Sequence, residues 1–255
     1  MNPEWHDIRH EASTTAIMII ERGLGTGRAC APTSHDTMQP ICLTFDNGPE
    51  PDVTPAVLDI LARRGIQTTF FLIGEKLRDP ARHALAERAR AEGHQVGNHT
   101  LTHGESLGRR SGAEAVHEIA ETDALLGPLR EPARLFRPNG GGGLLGPHLL
   151  NASAATYLQD GGHTVVLWNA VPRDFKDPDG WPDRALEMHA GATAPVMMVL
   201  HDLPNGAMRH LDRVLGAWQD QGVTFLTTPP EACTPMRAGK PAPNFADFVS
   251  PDPAP

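Results

Sequence analysis

His99 and His103 stand four residues apart. That spacing puts two imidazoles on one side of a single helical turn, where they can share a divalent ion. The chain holds 13 histidines, so the pair alone is a weak signal, and two surface polar residues would look the same. A third ligand has to come from elsewhere. Asp46 and Asn47 close the apolar run Ile41–Phe45 and differ in kind. Asp46 can take a proton from a water activated by a metal, whereas Asn47 offers a metal only a neutral carbonyl oxygen. A lone Asp at a strand end equally well caps a helix or pairs with an arginine. Arg137, in Phe136-Arg137-Pro138-Asn139-Gly140, can hold the Asp46 carboxylate through a bidentate pair and keep its pKa low, or simply close a surface ion pair. His201 ends the run Val199-Leu200-His201-Asp202. As a catalytic group it would protonate a leaving amine, which needs an acid to raise its pKa and fix its tautomer; Asp174 is the candidate. Each residue has a bland explanation singly. Together, five polar elements at or just after strand ends follow an order that one hydrolytic site can use.

The elements that position them come from the apolar pattern. Strand-like runs occur at 41–46, 68–73, 94–98, 133–137, 164–169, 195–201 and 223–227, with helical patterns between them. Val53, Val57, Leu58 and Leu61 share one helical face that stops at Gly65, and Asp79-Pro80 reads as an N-cap and first position. Ser111 and Glu114 have capping-box spacing before Val116, Ile119 and Leu126, and Asn205 heads a pattern ending at Gly222. Seven strands alternating with helices imply a parallel sheet. No glycine-rich dinucleotide turn follows the first strand. Polar residues recur at several strand C-termini, which is where a (β/α) barrel builds its site. The expected fold is therefore α/β, a TIM-barrel-like (β/α) barrel over 41–227. Residues 1–40 are an N-terminal appendage, and 228–255, with eight prolines, form a largely unstructured tail.

Composition narrows the partners. A net charge of −9 argues against nucleic acid and anionic membranes. No run reaches the ~20 apolar residues of a membrane span, and the acidic N-terminus does not read as a signal peptide. The expectation is a cytoplasmic protein, the alternative being export without a recognisable signal. Cys30, Cys42 and Cys233 have no metal-ligand spacing; Cys42 reads as core, and a Cys30–Cys233 disulfide is not required.

The ordered set resembles the polysaccharide deacetylase family, carbohydrate esterases with a chitooligosaccharide deacetylase homology domain, from about Ile41 to Thr227. The family's Thr-Phe-Asp-Asp-Gly-Pro appears as Thr44-Phe45-Asp46-Asn47-Gly48-Pro49. His-Ser/Thr-x-x-His is matched by His99, Thr100 and His103. Its arginine motif is matched at Arg137 and Gly141, its fourth motif by Trp168 to Phe175, and its last by Leu200-His201. The resemblance implies an irregular seven-stranded (β/α) barrel and metal-dependent hydrolysis of acetyl groups. It implies Asp46 as base, His201 as acid, Arg137 and Asp174 as their partners, and His99, His103 and Asn47 around a divalent metal, zinc first. Leu200, Gly140 and Phe175 would face the substrate, with an N–H near Gly140 assisting the oxyanion. Three departures count: Asn47 replaces the family's metal-binding acid, Asn139-Gly140 replaces proline and an aromatic, and aromatic residues are few, with Trp168 and Trp218 read as core. The substrate expected is an N-acetylated sugar or related amide. The alternatives are an amidohydrolase of small molecules on the same fold, and a catalytically weak binding protein.

Overall fold

The structure is a computed structural model that describes residues 38–253. The appendage, with Cys30 and its pairing, falls almost wholly outside those residues. In chain order the elements are β1 (Ile41–Asp46), α1 (Thr54–Arg64), β2 (Thr69–Leu72), α2 (Pro80–Ala91), β3 (Gln95–Asn98), α3 (Gly112–Leu126), β4 (Leu135–Phe136), β5 (Leu150–Asn151), α4 (Ala152–Asp160), β6 (Thr164–Val165), α5 (Trp181–Ala190), β7 (Val196–His201), α6 (Leu211–Asp220), β8 (Met236–Arg237), β9 (Lys240–Pro241) and β10 (Val249–Ser250). Among the described residues no helix is long and apolar enough to cross a membrane.

One curled sheet organises the molecule, in the order β7-β1-β2-β3-β4-β6-β8-β9. From β7 to β6 all neighbours are parallel, while β8 and β9 join antiparallel. A single bridge between Ala170, beyond β6, and Met198 in β7 draws the ends of the parallel run together. The α/β class and the parallel run agree with the sequence; the seven-strand count does not. Of the stretch 223–227, only Phe225 pairs, with Ile41. Pro229 and Pro230, which lack the N–H a ladder needs, come almost at once after it.

Side-chain alternation separates two cores. Ile41, Leu43 and Phe45 of β1 pack with Val57, Leu58 and Leu61 of α1, and with Met198 and Leu200 of β7. Cys42 points the other way, into the sheet's concave interior with Phe71, Phe136, Met197 and Val199. Asp46 lies on the Cys42 side, two positions beyond Thr44, so β1 delivers it to the interior.

The stretch from 228 departs from the tail expected. Leu167 N–H donates to Cys233 O at 2.8 Å, Val165 pairs with Met236, and β10 pairs with β5. Cys233, Met236 and Phe245 are buried. Proline content marks this stretch as irregular, but its few apolar residues suffice to dock it, β8 along β6 and β10 along β5.

Candidate active site

Arg137 follows β4 and is fully buried. Its Nη1 donates to Asp46 Oδ1 and to Thr44 Oγ1, both at 2.7 Å; Nε donates to Val166 O at 3.2 Å and Nη2 to Leu167 O at 3.4 Å. The guanidinium lies 4.1 Å from the centre of the Phe71 ring. A buried arginine with so many acceptors is fixed in place, and breaking such a pair by removing one partner typically costs about 3–5 kcal/mol. Burial alone would raise the Asp46 pKa, but the Arg137 charge and its hydrogen bond outweigh it and hold the carboxyl below its usual value. The bond to Asp46 is single, with Thr44 taking the second contact that a bidentate pair would have used.

His99 follows β3. Its Nδ1 lies 2.8 Å from Arg137 O, which makes Nδ1 the donor and leaves Nε2 with its lone pair, 3.6 Å from Asp46 Oδ2. Burial drives the His99 pKa down to about 3 and lowers that of His103, so both rings are held neutral, the form that binds metals. The ring centroids are 4.9 Å apart. The helical turn expected between them is not there. Residues 99–103 form a loop in which Thr100 (φ 66°) and His103 (φ 52°) are left-handed. The spacing is informative; the conformation that brings the rings together is not readable from it.

Asn47 is also left-handed, at φ 76°, a region that Asn tolerates better than most residues. Its Oδ1 is buried and has no hydrogen-bond partner. It lines the same cavity as Asp46, His99 and His103. Among the described residues no three His, Cys, Asp or Glu side chains form a metal-binding group. Two neutral imidazoles and an orphaned amide oxygen remain a nitrogen–oxygen donor set that fits zinc or a similar ion.

Beside Asp46, as its register partner on the neighbouring strand β7, stands His201, whose Nδ1 lies 2.9 Å from Asp174 Oδ1, while its backbone N–H donates to Asp174 Oδ2 at 2.7 Å. Asp174 is fully buried. Burial works against a charge on His201, but the Asp174 bond and charge prevail and raise its pKa. Phe175 stacks edge-on against the imidazole at 4.9 Å.

The cavity lined by Asp46, Asn47, His99, His103 and His201 measures about 330 Å³. Gly140 lines it with Phe175, and Trp168, Val171, Val199 and Leu203 supply apolar wall. Leu200 does not belong to it. It follows β7's alternation into the outer core and is fully buried, while Val199, on the His201 face, takes the place expected of it. A two-residue period read back from His201 would have found Val199. Trp168, read as core, is buried yet forms cavity wall; its Nε1 donates to Gly143 O at 2.9 Å, and a Cβ on Gly140 would overlap its ring. The glycine is there because the indole leaves no room for a side chain.

A family model described as polysaccharide deacetylase matches residues 34–166. The peptidoglycan-N-acetylglucosamine deacetylase of Bacillus cereus is 32% identical over 199 residues, covering 73% of this chain and 85% of the relative. The chitooligosaccharide deacetylase of Sinorhizobium fredii is 32% identical over 201 residues, covering 77% and 86%. Among solved structures, the peptidoglycan deacetylase PdaC of Bacillus subtilis is similar with a TM-score of 0.63 and 28% identity, over 76% of this chain and 90% of that one. The chain belongs to the polysaccharide deacetylase family, and the resemblance read from its motifs is borne out. It is a hydrolase of that family's kind, acting on carbon–nitrogen bonds of N-acetyl groups.

Proposed function

We propose that the protein is a metal-dependent N-deacetylase whose substrate is an N-acetylated amino sugar, the class named for its relatives from Bacillus cereus and Sinorhizobium fredii. The observation that carries this reading is that a carboxylate held ionised and an imidazole with a raised pKa line one cavity together with two neutral imidazoles. His99, His103 and Asn47 would hold the ion. When bound there, it would supply Lewis acidity toward the acetyl carbonyl.

The chain's own groups then divide the proton work. A water attacks the carbonyl carbon, and Asp46 takes the proton it releases. Arg137 fixes the Asp46 carboxylate through its bond to Oδ1. As the carbon–nitrogen bond breaks, His201 gives its Nε2 proton to the departing amine, and Asp174 stabilises the charge the ring carries before that transfer. The products are acetate and a free amine. The Arg137 charge holds the Asp46 pKa below its ordinary value and Asp174 holds that of His201 above its own, so the ionised base and the protonated acid coexist over a wider pH range than the free side chains would allow.

A second reading, a small acylated amine as substrate, is favoured by the apolar wall of Trp168, Val171, Phe175, Val199 and Leu203. Acetate release from N-acetylglucosamine oligomers and from small N-acetyl amides, with Zn²⁺ and with chelator, separates the two readings. Release from the oligomers that stops with chelator and returns with Zn²⁺ is expected. Release only from small amides would favour the second reading.

A further inference from the structure

The loop that carries both histidines is gripped by α3 through side chains that take no part in the reaction. Glu118, Thr122 and Asp123 are buried there, and acids are rarely buried without partners. Glu118 Oε2 accepts the N–H groups of Leu101 and Thr102, each at 2.9 Å. Its Oε1 accepts the Thr102 hydroxyl at 2.7 Å and faces Arg110 Nη1 at 3.2 Å. Asp123 Oδ1 accepts from Asn98 Nδ2 at 2.8 Å, and Asn98 Oδ1 in turn accepts the Thr100 N–H at 2.9 Å. From the other side, Gly74 and Glu75 donate to Thr100 O and Leu101 O at 2.9 and 3.0 Å.

Thr100 and His103, at the two ends of this gripped stretch, are left-handed. A side-chain-bearing residue in that region costs about 1–2 kcal/mol, so a loop left to itself would relax and part the two rings. Glu118 touches neither ring. We propose that Glu118 is a positioning residue. Through the backbone of Leu101 and Thr102 it holds His103 against His99 in the arrangement a divalent ion requires. The inference rests on the metal-binding reading above. Groups in this outer position commonly account for about 10–100-fold in metal affinity.

The test is calorimetric titration of the chelator-stripped full chain with Zn²⁺, with a thermal melt of each variant. Glu118→Ala is expected to weaken Zn²⁺ binding by about 10–100-fold. Glu118→Asp keeps the charge but withdraws the carboxylate by one methylene; it is expected to weaken binding in the same direction and serves if the alanine variant does not fold. Glu118→Gln keeps an oxygen for the two backbone donors but sets its NH2 against Arg110 and the Thr102 hydroxyl, so it is expected to weaken binding clearly less than the alanine variant. Ser111→Ala removes the α3 cap and lowers the melting temperature without touching the loop; Zn²⁺ affinity is expected to hold. Unchanged affinity in the Ala and Asp variants overturns the proposal. So does a Gln variant as weak as the Ala variant, which would assign the effect to charge, or an equal loss in Ser111→Ala, which would assign it to general stability. A parent chain that binds no Zn²⁺ overturns the metal reading, and this inference with it.

Discussion

Asp46 and Asn47 are neighbours with opposite tasks. Asp46 ends β1 on the interior face and is kept charged by Arg137. At Asn47 the backbone turns left-handed, and an amide oxygen is left buried and unpaired. A carboxylate at that position would attract a dication where the amide only solvates it. Asn47→Asp is therefore expected to raise Zn²⁺ affinity by roughly ten-fold or more, ~1.4 kcal/mol, despite repulsion from Asp46 and the tighter backbone demand. Calorimetry checks it, and unchanged affinity would remove Asn47 from the ligand set. Asp202 offers a separate test. It is buried under Gly48 with Oδ1 unpartnered, and burial pushes its carboxyl up to about 7 from 3.8. The folded chain thus holds that proton more tightly than the unfolded one. The stability involved is fully present below 3.8 and is lost as pH rises to about 7. Asp202→Asn, which cannot ionise, is expected to be more stable than the parent at about pH 8, on the order of 1–3 kcal/mol, with a smaller gap at about pH 5. Denaturant melts at both values read this out, and a variant no more stable at the higher pH would contradict it.

At the scale of elements, legibility depends on how local the determining interactions are. β1 and β7 carry long apolar runs and form where their patterns place them, and the Ser111–Glu114 capping box closes as its spacing implies. The His99–His103 loop reads as a helical turn by spacing alone, but its shape is set by Glu118 and by Gly74–Glu75, which a local pattern cannot see. The family resemblance implies Leu200 as cavity wall, where strand alternation decides otherwise. The C-terminal stretch reads as a loose tail because its anchors are few: β8 pairs with β6, and Cys233, Met236 and Phe245 are buried. Each such side chain contributes about 1.5–3 kcal/mol on burial, which together approaches the net stability of a whole domain. A chain ending at Thr228 is expected to lose its cooperative melt; an unaltered melting temperature would show that β8, β9 and β10 are dispensable.

For the molecule as a whole, one curled sheet brings together groups that lie far apart in sequence. Asp46 and Asn47 come from the end of β1, His99 and His103 from beyond β3, Arg137 from beyond β4, Asp174 from the segment between β6 and β7, and His201 from β7. Asp46, Asn47, His99, Arg137 and His201 are legible as candidates from type and place at a strand end, His103 from its spacing to His99, and Asp174 only as the acid that His201 needs. The walls between them are not, since Val199, Trp168 and Gly140 owe their roles to close packing around the cavity. The central claim is that this assembly uses Asp46 to remove acetyl groups from an amino sugar. The most direct measurement is acetate released from N-acetylglucosamine oligomers, with Zn²⁺ present, by the parent chain and by Asp46→Asn. The account predicts steady release by the parent and a loss of about 100-fold or more in the variant, the scale on which a positioned acid–base group acts. No release by the parent, or equal release by both, would contradict it.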